Sequence, residues 1–142
     1  MIGAAYAVVH AVPSVEDYRR LCAAAGLSDK TREAAERGLA GTLFAVQILH
    51  DGQPVGMGRV VGDGGTAYQV VDIAVLPAHQ KQGLGKRIME DIMGYLRAHA
   101  PVSAYVSLIA DGDARHLYAR FGFADTMPAS IGMGYCVRPP AA

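Results

Sequence analysis

A glycine-bearing turn lies between a strand-like segment and the longest helical pattern of the chain. Residues 68–76 are rich in strand-forming side chains, and the turn at residues 80–86, with the sequence QKQGLGK, follows after Pro77. The first backbone N–H groups of a helix have no intrahelical acceptor and lie at its positive end, so they can bind an anion. Gly83 and Gly85 let the backbone approach that anion closely. The turn therefore predicts a phosphate-binding site.

Two common nucleotide-binding motifs do not fit this turn. A Walker A loop needs a glycine five positions before its second glycine and Ser or Thr after its lysine, where this chain has Gln80 and Arg87. The dinucleotide fingerprint G-x-G-x-x-G fails at Ile88, which stands in place of the third glycine. The sequence therefore argues against an ATPase and against a Rossmann dehydrogenase.

The length and composition indicate one well-packed α/β or α+β domain. The chain has 142 residues, of which 51% are hydrophobic and 18% are charged, and this balance excludes a disordered protein. Thirteen Lys and Arg residues balance thirteen Asp and Glu residues, which argues against nucleic-acid binding through bulk charge. We find no bilayer-length apolar run, no export signal and no metal-ligand spacing such as HExxH. We therefore expect a cytoplasmic protein without a metal, a nucleic-acid partner or a membrane partner.

The apolar patterns predict a mixed sheet with helices on both faces. An Asp51-Gly52 hairpin turn joins two early strands, and a strand–helix–strand unit follows them. Ser14 is typical of a helix N-cap, and Gly26 of a helix end. The predicted strands cover residues 6–9, 43–49, 55–61, 68–76, 102–109 and 132–137. The first predicted helix begins near Ser14 and ends at Gly26, and the other predicted helices cover residues 28–38, 83–99 and 114–120.

Two motifs together resemble one enzyme family. Residues 80–85 fit the pattern Gln/Arg-x-x-Gly-x-Gly/Ala, which resembles the coenzyme A pyrophosphate loop of the GCN5-related N-acetyltransferases, the GNAT family. Residues 114–123, ARHLYARFGF, are similar to the A-x-x-L-Y-x-x-x-G-F signature of the same family. The resemblance covers nearly the whole chain, and residues 106–111 with Gly132 and Met133 look similar to plastid-type serotonin N-acetyltransferases and their small bacterial relatives. It implies a single domain over residues 1–142 with the GNAT fold, a mixed and mostly antiparallel sheet of six to seven strands.

The resemblance implies that acetyl-CoA is the co-substrate and that most of its contacts come from the turn. The backbone of Ile73, Ala74 and Val75 would pair with the pantetheine arm, and one N–H there would face the carbonyl oxygen. Asp111 stands where many members of the family have Asn, and Tyr118 belongs to the second motif. The turn residues expected to bind the coenzyme are Gln80, Lys81, Gln82, Gly83, Leu84, Gly85 and Lys86.

Two residues are candidates for the proton transfers. The place of Tyr118 in its motif implies a general acid that protonates the departing thiolate as a neutral phenol. Asp72 is a lone carboxylate inside an apolar strand, so it is either the general base or a structural carboxylate that caps neighbouring backbone. By strand parity Asp72 points away from the side that Val71 and Ile73 share, and Gln69 lies on that shared side and could order a water.

The function that follows from the resemblance is acetyl transfer to the primary amine of a small molecule, by direct attack and without a covalent enzyme intermediate. We expect the first two helices, the strand around Arg59 and residues 125–135 to select the acceptor, and their aromatic residues favour an apolar or aromatic amine. A protein or peptide N-acetyltransferase and a non-catalytic acyl-CoA sensor are the alternatives. A homodimer is plausible because dimers are common in this family.

Overall fold

The strands form one mixed sheet in which neighbours in sequence are neighbours in space. The computed structural model describes residues 2–141, and within them the sheet has five strands in the order β1-β2-β3-β4-β5. The first three pairs are antiparallel, and β4 and β5 are parallel. The strands are β1 (Tyr6–Val9), β2 (Phe44–His50), β3 (Gln53–Gly62), β4 (Ala67–Val75) and β5 (Tyr105–Leu108). The mixed and mostly antiparallel sheet is as predicted.

Four α-helices and one short turn of 3₁₀ helix complete the described elements. The helices are α1 (Val15–Ala24), α2 (Arg32–Ala40), α3 (Leu84–His99) and α4 (Ala114–Ala119), and the 3₁₀ turn covers Pro77–His79. Ser14 caps α1 as predicted, because its hydroxyl accepts a hydrogen bond from the Asp17 amide at 3.1 Å. Helix α2 begins later than the predicted Ser28, since Thr31 is the residue whose hydroxyl caps it, accepting from the Ala34 amide at 3.1 Å.

Helices α1 and α2 cover one face of the sheet, which we call the α1/α2 face. Tyr18, Leu21 and Cys22 of α1 pack with Ala35 and Leu39 of α2 against Met57 and Ala74 of the sheet. This cluster is almost fully buried.

Helix α3 covers the opposite face, the α3 face. A Cβ built at Gly58 would lie 2.6–2.9 Å from the side chains of Ile88, Ile73 and Ile92, so the helix lies directly on β3 at that glycine. Helices therefore lie on both faces of the sheet, as the sequence predicts. Because α3 is fixed to the sheet along this face, the turn that precedes it is held in place as well.

The chain divides into two compact units, one ending at Leu108 and one beginning at Ile109. The first unit contains the whole sheet and helices α1 to α3, and the second contains α4. The predicted strand over residues 132–137 is absent, so five strands are described rather than six to seven. Its backbone N–H groups make no backbone hydrogen bond in the described part of the chain, and a strand is defined by such pairing.

Candidate active site

The turn between β4 and α3 has the backbone shape expected of an anion-binding loop. The chain leaves β4, passes through the 3₁₀ turn, and reaches Lys81 and Gly83 with φ of +62° and +80°. Gly83 is the N-cap of α3 and has the left-handed conformation. Since glycine has no side chain, no side-chain hydrogen bond caps the first amides of the helix. Its carbonyl accepts from the Arg87 amide at 3.1 Å, which is the first hydrogen bond of the helix.

The amides of this turn have no partner within the protein. In residues 2–141 no hydrogen bond uses the backbone N–H groups from Lys81 to Lys86. They lie at the positive end of the 16-residue helix α3. Lys81 and Lys86 are exposed, whereas Arg87 is paired with Asp91, its Nε atom 2.8 Å from the carboxylate. The turn therefore offers backbone donors and two free lysines to an anion. The side chain of Leu84 is buried, so this residue can contribute only its backbone.

Side chains on both sides of the turn attach it to the sheet. The Gln80 side chain donates from Nε2 to the carbonyl of Val75 at 3.2 Å. The hydroxyl of Tyr6 on β1 lies 2.9 Å from Nδ1 of His79. The Gln80 side chain thus binds the end of β4, and the His79 side chain joins the turn to β1.

The outer edge of β4 is open beside the turn. Strand β5 pairs with β4 only from Ala67 to Val70, so from Val71 to Val75 no described strand lies on that edge. The Leu76 amide donates to the Val55 carbonyl of β3, and backbone groups alternate in direction along a strand. The N–H and C=O of Val75 therefore point to the open edge, and those of Ala74 point to β3. Of the three residues expected to bind pantetheine, the register thus directs Val75 outward and Ala74 inward.

A β-bulge interrupts β4 at Asp72. Met57 pairs with Ala74 and Arg59 pairs with Val71, so Asp72 and Ile73 together lie opposite Gly58. Asp72 has a φ of +58°, a left-handed conformation that costs a non-glycine residue roughly 1–2 kcal/mol. The prediction from strict alternation is therefore wrong, because the extra residue changes which side chains share a face.

The side chains on either side of the bulge can be assigned to faces from their partners. Directly paired residues project to the same face, so Val71 lies with Arg59 on the α1/α2 face. Ile73 lies on the α3 face, where its side chain meets the position of a Gly58 Cβ. The carboxylate of Asp72 is on the α1/α2 face, where it contacts Tyr18. Gln69, paired with Val61, lies with Val71 and no longer with Ile73.

Asp72 belongs to a network of side chains that joins three elements. Its Oδ2 atom accepts from the Tyr18 hydroxyl at 3.1 Å and from Arg59 Nε at 3.0 Å. Arg59 also donates from Nη1 to the Thr42 hydroxyl at 2.6 Å and to the Gly38 carbonyl at 3.4 Å. The side chains of Arg59 and Asp72 are 8% and 17% exposed, so the pair is largely withdrawn from water. The expected cap on neighbouring backbone is replaced by contacts with side chains.

Burial and the nearby carboxylate keep the neighbours of Asp72 protonated. Burial, followed by the charge of Asp72, raises the pKa of the Tyr18 phenol far above its ordinary value. The same two causes raise the pKa of the Cys22 thiol. Tyr18 is therefore a neutral hydrogen-bond donor to Asp72, and Cys22 is a neutral member of the core.

The second unit holds the other two predicted site residues. Tyr118 lies on α4 and is buried, and Asp111 precedes the helix and is exposed. Burial raises the pKa of the Tyr118 phenol, and the charge of Asp111 raises it further. Both causes keep the hydroxyl protonated, as a proton donor requires.

The sequence patterns predict that the first helix, which contains Tyr18, and the strand around Arg59 belong to the acceptor-selecting surface. They do not indicate that both side chains contact Asp72. A signal for the Arg59 contact was nevertheless present. Arg59 is the one charged residue in the apolar segment 55–61, and Asp72 is the one charged residue in the apolar segment 68–76. Opposite charges in two adjacent apolar strands are expected to pair, because either alone would be costly to bury.

Residues 2–141 contain neither a membrane-spanning helix nor a cluster of metal-ligating side chains. No helix there is both long enough and apolar enough to cross a membrane. No group of three or more His, Cys, Asp or Glu side chains there is arranged to hold a metal ion.

Solved structures of bacterial proteins share this architecture. A crystal structure from meticillin-resistant Staphylococcus aureus, described as "Probable Acetyltransferase", is 50% identical, with a TM-score of 0.89 over 93% of this chain and 99% of that one. A GNAT family acetyltransferase from Streptococcus pneumoniae TIGR4 is 27% identical, with a TM-score of 0.76 over 94% of this chain and 99% of that one.

Sequence comparison points to the same group of proteins. The chain is 33% identical over 84 residues to serotonin N-acetyltransferase 2, chloroplastic, from Oryza sativa subsp. japonica. That match covers 59% of this chain but only 41% of the rice protein, so the chain spans less than half the length of this curated relative. The Acetyltransferase (GNAT) family model matches residues 12–123, which is most of the chain and includes the turn, the bulge and Tyr118. The chain belongs to the GNAT family of acetyltransferases.

Proposed function

We propose that this protein transfers an acetyl group from acetyl-CoA to the primary amine of a small molecule, by direct attack and within a single domain. The observation that carries the proposal is the row of unpartnered amides from Lys81 to Lys86, which continues into the open edge of β4. The amides suit a diphosphate, and the edge suits an extended amide-containing chain such as pantetheine. Acetyl-CoA has both parts in that order, and it supplies an acyl group activated as a thioester.

The residues present fit this ligand at each part. Gln82, Gly83, Gly85 and Lys86 would donate backbone N–H groups to the diphosphate, and the side chains of Lys81 and Lys86 add positive charge. The outward backbone groups of Val75, with those of Ile73 at the bulge, would pair with the pantetheine amides. A glycine at position 83 is favoured by its φ of +80° and by the close approach of backbone and phosphate.

Asp72 and Tyr118 are assigned opposite proton transfers. Asp72 takes the proton that the amine loses, because its carboxylate lies at the bulge next to the edge where the thioester is expected. Tyr118 gives its hydroxyl proton to the departing sulfur, and its raised pKa keeps that proton in place until the transfer. Asp111 is assigned a contact with the pantetheine side.

An aromatic amine is the acceptor class that we favour. The rice relative is named for serotonin, an arylalkylamine, and Tyr18 places an aromatic ring beside Asp72 on the α1/α2 face. A polyamine would call for more carboxylates than this face contributes. We assign the protein to the cytoplasm, which fractionation of the source cells tests.

A homodimer is part of the proposal, and the end of the chain supports it. Ile131, Met133, Tyr135 and Val137 alternate with other residues and are 65–92% exposed. An alternating apolar segment without backbone partners is suited to pairing with a second copy. Analytical ultracentrifugation tests this, and Met133→Lys with Tyr135→Lys is expected to give a monomer. A wild-type chain that is monomeric at high concentration removes the dimer.

The coenzyme site is tested by calorimetry with acetyl-CoA. Gly83→Glu is expected to abolish binding, because it puts a Cβ on a left-handed residue and a negative charge among the phosphate donors. Gly83→Asn is the matched control, since Asn tolerates this conformation and is neutral, and it should retain measurable binding. Unchanged affinity in Gly83→Glu would remove the turn from the site.

The transfer itself is tested by thiol release over a panel of amines. The panel contains arylalkylamines, polyamines, amino sugars and peptides, and we expect the arylalkylamines to react fastest. Tyr118→Phe should lower turnover at least about tenfold while acetyl-CoA affinity stays within a few-fold. Equal rates in the two proteins would show that Tyr118 is not the acid. Tight acetyl-CoA binding with no turnover of any amine would identify a sensor instead of an enzyme.

A further inference from the structure

The carboxylate of Asp72 is held at one oxygen and open at the other. The Tyr18 hydroxyl and Arg59 Nε both donate to Oδ2. No hydrogen bond within residues 2–141 uses Oδ1. In that part of the chain no side-chain N or O atom is both buried and unpartnered, so Oδ1 is reached by solvent. One oxygen is thus occupied by the protein, and the other is accessible.

Arg59 is fixed by contacts that do not involve Asp72. Its Nη1 atom donates to the Thr42 hydroxyl and to the carbonyl of Gly38 in α2. Its guanidinium carbon lies 5.5 Å from the centre of the Tyr18 ring, within the range of a cation–π contact. Because a guanidinium is planar, these contacts at one end set the direction in which Nε points at the other.

Tyr18 is fixed in a similar way and acts as a donor to the carboxylate. Its ring is buried in the core of the α1/α2 face, and its raised pKa keeps the hydroxyl protonated. The phenol therefore gives its one proton to Oδ2. Two donors from two different elements, α1 and β3, converge on the same oxygen.

We propose that Tyr18 and Arg59 are positioning residues for proton removal from the acceptor amine: they hold Oδ2 of Asp72 and so present Oδ1 as the oxygen that receives the proton. The inference rests on the proposed function, in which Asp72 is the base. Oδ1 takes the proton that leaves nitrogen as the N–C bond forms, and Tyr118 protonates the sulfur as the C–S bond breaks. Solvent then removes the proton that Asp72 accepted and supplies a proton to Tyr118, which restores both residues.

Arg59 also brings the one positive charge that contacts Asp72 within residues 2–141. Its Nε atom lies 3.0 Å from Oδ2, and both side chains are largely withdrawn from water. Tyr18 and Cys22 of α1 face the same carboxylate, and burial raises the pKa of each, so both are neutral. One side chain, Arg59, therefore supplies both the charge and the direction of the contact.

Steady-state kinetics with an arylalkylamine, with kcat and KM measured separately, test the inference. Arg59→Gln is expected to lower kcat by about tenfold or more while KM for acetyl-CoA stays within a few-fold. Arg59→Lys keeps the charge and should recover part of the lost kcat. Arg32→Gln is the matched control: it makes the same substitution at an exposed arginine that pairs with Glu16 and Glu36, and it should leave kcat unchanged.

A second variant keeps the test informative if Arg59→Gln does not fold. Tyr18→Phe keeps the ring and removes only the donor, so it should lower kcat by about threefold to tenfold while KM for acetyl-CoA stays within a few-fold. Thermal unfolding of each variant is measured alongside. Lower melting temperatures with unchanged kcat in both variants would show a purely structural network and overturn the inference.

Asp72→Asn separates this inference from the proposed function. Asn tolerates the left-handed backbone, so the fold should persist, and we expect turnover to fall by at least about a hundredfold. Full turnover in Asp72→Asn would overturn the roles of Asp72, Tyr18 and Arg59 while leaving an active acetyltransferase. Loss of acetyl transfer from the wild-type chain itself would instead reject the proposed function.

Discussion

The two faces of the sheet are built on different principles. On the α3 face, the buried side chains of Val46, Ile48, Val60, Ile88 and Ile92 are all aliphatic. The two buried polar residues of the described chain, Gln47 and Arg59, both lie on the α1/α2 face. Gln47 pairs with Met57 of that face, and Arg59 follows Gly58, which faces α3. One face is held mainly by apolar packing, and the other contains a largely buried ion pair.

The difference matches the tasks that the two faces are assigned. Helix α3 carries the turn at its N-terminus and is fixed mainly by apolar contact, with His10 Nε2 also 2.7 Å from Asp91 Oδ2 of the helix. In the proposed function the α1/α2 face holds a carboxylate at a defined orientation, which apolar packing cannot do. Under that proposal, rigid packing would serve binding of the coenzyme, and the polar network would serve the acceptor side. The predictions below test this division, beginning with the largest effect on the free energy of unfolding.

The largest effect is expected on the aliphatic face. Ile92→Ala should lower the free energy of unfolding by about 4 kcal/mol, because it leaves a cavity at a fully buried position under α3. Urea unfolding followed by circular dichroism measures it. Ile92→Val is the graded control and should cost about 1 kcal/mol. Similar small losses for both would mean that the face is less tightly packed than described.

Removal of one partner of the ion pair should rank next. Arg59→Met leaves the Asp72 carboxylate largely buried without its cation, which is expected to cost on the order of 3 kcal/mol. The double variant Arg59→Met with Asp72→Asn should recover part of that loss, because no buried charge then remains. Strictly additive effects in this double-mutant cycle would show that the two side chains do not interact.

The Tyr18 hydroxyl should contribute less, and in a pH-dependent manner. Tyr18→Phe is expected to cost about 2 kcal/mol near neutral pH, the value of one hydrogen bond to a charged acceptor. Folding raises the pKa of this phenol, so its contribution is complete below pH of about 10 and is lost as the pH rises further. Unfolding measured between pH 8 and 11 should show a shallower alkaline loss in Tyr18→Phe. Parallel curves for the two proteins would contradict this.

The smallest effect is expected for an ion pair outside the network. Arg32 bridges Glu16 and Glu36, and all three side chains are more than half exposed. Arg32→Gln should change the free energy of unfolding by less than about 1 kcal/mol, because water and salt screen exposed pairs. A loss as large as that of Arg59→Met would erase the distinction between surface and network charges.

Much of the scaffold follows from local sequence signals. The Asp51-Gly52 turn has φ values of +50° and +77°, which is the hairpin geometry that this dipeptide favours. Gly83 ends the turn and α3 runs from Leu84 to His99, as its apolar stripe and the preceding glycines predict. These features depend on the conformational preferences of a few neighbouring residues, so the sequence contains the information directly.

The parts that could not be predicted depend on contacts between distant segments. The bulge at Asp72 arises from register with β3, and a strand pattern read on its own assumes strict alternation. The contact of Tyr18 with Asp72 spans 54 positions and requires α1 to lie on the correct face. The expected strand at residues 132–137 has the right alternation but no neighbour in the described chain, and pattern alone does not supply one. The roles of Asp72, Tyr118 and the turn residues remain predictions that the variants above test.

The left-handed backbone at position 72 limits which acids the protein could use there. Asp and Asn adopt this conformation more readily than other residues with a side chain, because their short polar groups can bond locally. Glutamate has the same charge and a longer reach, yet it lacks that tolerance. Divergence of this enzyme toward new acceptors is therefore expected to keep aspartate at the bulge and to change the residues around it.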